Sequence, residues 1–177
     1  KIMDLCLITI FLLAAGVNNI LYLKGTEMQR PITISHRGVS DKNGVQNTIP
    51  ALKKTAKLHP DYVEIDLHET KDKQFVVMHD ENLKKLAGID KTPKDLTLNQ
   101  LTKIMLHEDG HHAKIASFDQ YLKAAAKLKQ KLLIEVKTTP NDSPKMLERF
   151  NKKYGKLILK RNYQVQSLDY RVIEGLH

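Results

Sequence analysis

The sequence predicts an α/β fold built on a parallel sheet. Three observations carry that prediction. From Pro31 onward, short β-rich runs alternate with helical patterns. The 41% hydrophobic fraction over 177 residues is enough for one core. Titratable residues recur at or just after the ends of the short runs, where a parallel β/α arrangement gathers its chemistry.

Ile32–Ser35 is the first β-rich run. Thr48 to His59 reads as a helix, with Pro50 early and Ala51, Leu52, Ala56 and Leu58 as its apolar positions. Tyr62 to Leu67 and Phe75 to Met78 follow as strands, separated by the turn-prone Lys71-Asp72-Lys73. Thr97 caps one helix, and Ser117 caps a longer one that runs through Ala124 to Leu128. Leu132 to Val136 is a buried-type strand, Ser143 to Tyr154 a helix, and Tyr163 to Leu168 a last strand before a helix begins at Asp169. The stretch from Asp80 to Ala116 is poorer in strand signal and reads as an insertion. Its run His107-Glu108-Asp109-Gly110-His111-His112 lacks helical spacing of metal ligands and reads as a polar loop. No internal repeat is evident.

Residues 5–23 carry no charge and have about the length that a helix needs to cross a bilayer. Lys1 and Asp4 flank one side, Lys24 and Arg30 the other, and Tyr22 sits at an interfacial position. Residues 1–30 are therefore expected to be a transmembrane anchor with its juxtamembrane segment, and 31–177 the folded domain. The net charge of +9 draws anionic partners without choosing among them. The lysines lie beside helix faces without interleaved aromatics, so no nucleic acid is expected. Cys6, the lone cysteine, rules out an internal disulfide and a multi-cysteine zinc site.

Glu64 and Asp66 are two apart on one strand, so both point to the same face, as do Glu135 and Lys137 on another. These carboxylates alternate with Val63, Ile65, Leu67, Ile134 and Val136, which makes a solvent-facing position for both strands costly. Three carboxylates converging at strand ends form a hard oxygen-donor set that suits Mg²⁺ or Ca²⁺ better than zinc. His36-Arg37-Gly38 ends the first strand, and His79-Asp80 ends the third.

His-Arg-Gly, Asn-Thr before a helix, Glu-Ile-Asp, His-Asp and Glu-x-Lys, in this order from Ile32 to Leu168, resemble the glycerophosphodiester phosphodiesterase family. The resemblance implies a TIM (β/α)8 barrel of the phosphodiesterase and phospholipase type, here with about five strands and the last three absent. It implies that His36 and His79 are the general acid and base, that Glu64, Asp66 and Glu135 hold the divalent cation, and that Arg37 and Lys137 grip the phosphate. It also implies hydrolysis of glycerophosphodiesters, of lipid or teichoic-acid origin, to glycerol 3-phosphate and an alcohol at the outer side of the cell membrane. A lyase that stops at the cyclic phosphate and an inactive anchored polyanion-binding barrel are the alternatives. One departure stands out: Gln46 occupies the place of the glutamate that usually precedes Asn-Thr.

Overall fold

The structure is a computed structural model and describes residues 30–38, 44–139, 142 and 144–174. The apolar run 5–23 and the expected helix start at Ser143 lie outside the described residues. Among the described residues no helix is long and apolar enough to cross a membrane. The chain divides into two units, Lys1–Pro31 and Ile32–His177, and the second contains the elements that follow.

Eight strands are described: β1 (Ile34–Ser35), β2 (Tyr62–Glu69), β3 (Phe75–Val77), β4 (Met105–Glu108), β5 (His111–Lys114), β6 (Ala116–Ser117), β7 (Leu132–Val136) and β8 (Gln164–Gln166). The helices are α1 (Ile49–Thr55), α2 (Lys84–Ala87), α3 (Leu98–Leu101), α4 (Phe118–Lys127), α5 (Lys145–Lys160) and α6 (Tyr170–Glu174). The main sheet has the order β6-β3-β2-β7-β8, with β1 pairing beside β2. β1, β2, β7 and β8 are mutually parallel. Among the described residues the sheet does not close on itself.

Strand alternation sorts β2 into two chemistries. Val63, Ile65 and Leu67 pack with Leu132, Ile134 and Val136 of β7 into the main core. Glu64, Asp66 and His68 point to the opposite face. α1, α4 and α5 cover the apolar face through Leu52, Phe118, Tyr121, Phe150 and Tyr154. Phe118 meets Tyr154 edge-on at 4.7 Å and Phe75 meets Phe150 at 5.3 Å, the offset geometry that ring quadrupoles favour. α4 begins where its cap predicts: Ser117 Oγ accepts from Gln120 N at 3.1 Å and Gln120 Oε1 accepts from Ser117 N at 3.0 Å. Thr97 and Gln100 repeat this reciprocal arrangement at α3. α5 outruns the expected end at Tyr154 by reaching Lys160, because Ile158 keeps the apolar face buried for another turn.

Two expectations are corrected. β3 is antiparallel to β2, with Leu67 opposite Val77 and Glu69 opposite Phe75, so the third predicted strand is not a parallel wall strand. The connection through Lys71-Asp72-Lys73 is far too short for anything else, since a parallel crossover takes a dozen or more residues. The polar-loop reading of 107–112 also fails. β4 and β5 form a hairpin closed by Asp109 (φ 47°) and Gly110 (φ 79°), the paired positive φ angles of a type I′ turn. Leu106 and Ala113 point inward from this hairpin to a second apolar cluster with Val76, Met78, Leu83 and Leu101. The insertion therefore has a core of its own.

Candidate active site

β2 and β7 are paired so that Asp66 lies opposite Glu135, with Glu64 two residues back on the same face. One oxygen from each of Glu64, Asp66 and Glu135 lies within 4.8 Å of the others. Glu64 and Asp66 are buried, at 3% and 1% exposure, and Glu135 is half-buried. The three expected cation ligands are thus brought together.

This cluster is held by specific donors. Asn47 Nδ2 donates to Asp66 Oδ2 at 2.9 Å, while Asp66 N donates to Asn47 Oδ1 at 3.2 Å. Arg37 N donates to Glu64 Oε2 at 2.9 Å, and Asn47 N donates to Arg37 O at 2.8 Å. Lys137 Nζ donates to Glu135 Oε1 at 2.5 Å and lies 3.0 Å from Asp66 Oδ1, close enough for an ion pair but badly angled for a hydrogen bond. Burial works against the Lys137 ammonium. Its attraction to Glu135 and Asp66 outweighs that and leaves its pKa above the ordinary lysine value.

Hydrogen bonding of the cluster remains incomplete. Glu64 Oε1 and Asp66 Oδ1 are buried with no hydrogen-bond donor. Burial first, and the charge of Asp66 second, push Glu64 up from 4.5 to about 7. Orphaned, desolvated carboxylate oxygens that converge without a thiol fit a hard divalent cation.

His36 Nε2 stands 3.9 Å from Glu64 Oε2, with its side chain largely exposed at the site's edge. Burial and the Arg37 charge hold its pKa below the ordinary imidazole value, with His79 a further contributor. Arg37 adopts φ 54°, ψ 22°, and Gly38 follows at φ +65°. A Cβ on Gly38 would stand 3.1 Å from Tyr121 Oη and 3.3 Å from Val63 Cγ1. His-Arg-Gly therefore folds back on itself, and glycine is needed where it meets the core.

His79 reaches the site at the end of the β3 hairpin. Its Nδ1 is 2.8 Å from Asp80 Oδ1, a partner that fixes the ring and supports a proton at Nδ1. Its carbonyl is 3.0 Å from Nε2 of His68. Burial keeps His68 below its ordinary value, which suits a neutral, structural imidazole.

Sequence reasoning missed the parts played by Asn47, His68, Tyr121 and Glu108. Asn47 was visible as the start of Asn-Thr, but its grip on both sides of Asp66 needs φ 58° and a long-range contact. Tyr121 is fully buried with an unpartnered hydroxyl, and burial followed by the charge of Glu64 pushes its phenol up.

Residues 36–174 match the model of the glycerophosphoryl diester phosphodiesterase family. The chain belongs to that family. The phosphodiesterase-family chain is 32% identical over 145 residues to the Bacillus subtilis protein YhdW; the match takes in 80% of this chain and 58% of that one. A human lysophospholipase D is 44% identical over 68 residues, covering 38% of this chain and 21% of its own. A phosphodiesterase of Oleispira antarctica, solved with the product sn-glycerol-3-phosphate, superposes with TM-score 0.68 at 18% identity, over 82% of this chain and 60% of that one. The matched region thus spans between about a fifth and three fifths of these relatives' own lengths. The solved members confirm the TIM-barrel fold class, and the described sheet corresponds to part of such a barrel.

Proposed function

We propose that this site hydrolyses glycerophosphodiesters to glycerol 3-phosphate and an alcohol, with a divalent cation, Mg²⁺ or Ca²⁺, held by Glu64, Asp66 and Glu135. The observation that carries the reading is the set of three converging carboxylates with orphaned oxygens beside His36, Arg37 and Lys137. A bound cation would neutralise the phosphodiester charge and polarise its oxygens. Arg37 and Lys137 orient the phosphate. His36 and His79 divide the proton transfers: one removes the proton of the attacking glycerol 2-hydroxyl while the other protonates the departing alkoxide. With their roles reversed, the pair then delivers water to the cyclic phosphate and protonates the 2-oxygen as the ring opens to glycerol 3-phosphate. With Nδ1 engaged by Asp80, Nε2 is the His79 nitrogen left for proton transfer. In this reading residues 5–23 tether the domain to the outer face of the cell membrane, and glycerol phosphate wall polymers stand beside lipid-derived diesters as substrates.

The test is release of glycerol 3-phosphate from a glycerophosphodiester, abolished by chelation and restored by Mg²⁺ or Ca²⁺. Undiminished turnover in excess chelator would sink the cation role. A cyclic phosphate as end product would move the protein to the lyase class, and no turnover by the intact protein would leave it a binding module.

A further inference from the structure

Gln46 is buried, and its amide is held at both ends. Oε1 accepts from Arg37 Nη1 at 2.9 Å, and Nε2 donates to Glu108 Oε1 at 2.5 Å. The Gln46 backbone N also donates to Glu108 Oε2 at 2.7 Å, so both carboxylate oxygens are engaged. A guanidinium only donates and an ionised carboxylate only accepts, which fixes which end of the amide faces which neighbour.

Glu108 comes from the last position of β4, beside the Asp109-Gly110 turn of the insertion. It is 62 residues from Gln46 in sequence, yet it supplies the negative end of a chain that runs Glu108–Gln46–Arg37. An amide between an anion and a cation is polarised along that line, and each bond strengthens the next.

We propose that Glu108 is a positioning residue for Arg37, acting through the Gln46 amide, so that the phosphate grip of the site depends on the insertion hairpin. The proposal rests on the functional reading above, in which Arg37 holds phosphate. The negative charge that a glutamate at position 46 would set directly beside Arg37 is here held one side chain further out, at Glu108. Gln46 and Glu108 therefore form a matched pair. Glutamate at both positions would set two desolvated carboxylates against each other. Glutamine at both would turn the Gln46 amide round. The single amide oxygen then present at position 108 would be taken by the Gln46 backbone N, and the NH₂ beside it would need an acceptor. Nε2 of Gln46 would then face the guanidinium of Arg37.

The experiment is a double-mutant cycle in the full-length protein, read by calorimetric binding of sn-glycerol 3-phosphate and by KM and kcat for a glycerophosphodiester. Glu108→Gln and Gln46→Glu should each weaken binding of the probe and raise KM about tenfold, with kcat changed much less. The exchange Gln46→Glu/Glu108→Gln rebuilds every bond with the charge moved inward. It should bring both readouts back to within about twofold of wild type. Unaltered binding and KM in Glu108→Gln, or a double variant as impaired as the two singles combined, would overturn the relay. A single variant that fails to fold leaves the exchange variant as the deciding arm, since an unrescued exchange refutes the pairing. If wild type binds the probe but turns nothing over, the functional reading fails and the binding cycle still decides the relay. Wild type that neither binds nor turns over overturns both.

Discussion

In the cation-free protein, stability should fall as pH rises from about 5 to about 8, and Glu64 is the reason. Its folded pKa is raised from 4.5 to about 7. A carboxyl raised in this way stabilises the fold fully below its unfolded value, and the contribution is lost as pH climbs through its folded value. At about 1.4 kcal/mol per pH unit the span is worth about 3 kcal/mol. The Glu64 side chain is 4% exposed, so solvent screening removes little of it. His36 and His68, held below their ordinary values, push the other way, because their unfolded forms bind more protons near pH 6. Comparison with Glu64→Gln, which keeps the histidines and lacks the carboxyl titration, isolates the effect. The assay is urea unfolding in excess chelator at pH 5, 6, 7 and 8 for both proteins. The difference in unfolding free energy between wild type and Glu64→Gln should shift against wild type by about 3 kcal/mol across that range. Adding Mg²⁺ or Ca²⁺ at a hundred times Kd at pH 8 should return about 2.7 kcal/mol to wild type. That corresponds to roughly 5–10 °C in Tm for a domain of this size. Parallel pH profiles for the two proteins, or a cation effect that survives in Glu64→Gln undiminished, would refute the reasoning.

Three further outcomes follow from the geometry. His36→Ala and His79→Ala should each lower turnover by about 10²–10⁴-fold, and the exposed His36 should leave the unfolding midpoint unmoved; steady-state kinetics beside circular dichroism decides it. Gly38→Ala should cost about 1–3 kcal/mol, because φ +65° and two buried neighbours within 3.3 Å leave no room to relax; an unchanged denaturant midpoint would contradict this. Phe150→Ala should cost about 3–5 kcal/mol, since the ring is fully buried among Phe75, Phe118 and Tyr154, and its chemical denaturation curve should shift without a change of slope.

Much of this was legible in the residues. Alternation put Glu64 and Asp66 on one face of a buried strand and Glu135 with Lys137 on one face of another, and period two is the most direct pattern a sheet imposes. The caps at Thr97 and Ser117 are local chemistry and appear where their residues predict. The direction of β3 was written in the brevity of its connection, which alternation alone does not weigh. The hairpin at 105–114 was signalled by Asp109-Gly110, but its polar histidines masked the inward Leu106 and Ala113. The contacts of Asn47 with Asp66 and of Gln46 with Glu108 join residues far apart in sequence, and no local propensity encodes them.

β3 belongs to two interiors at once. Phe75 and Val77 face the main core, while Val76 and Met78 face the core of the insertion, and His79 follows immediately. The insertion is therefore a fitted part. An insertion exchanged between relatives must match Val76 and Met78 or leave a void directly behind the residue assigned to proton transfer. Loops of this kind are usually treated as interchangeable tips for tuning selectivity. Here β3, the strand that leads into His79, is the seam along which donor and recipient must be sewn.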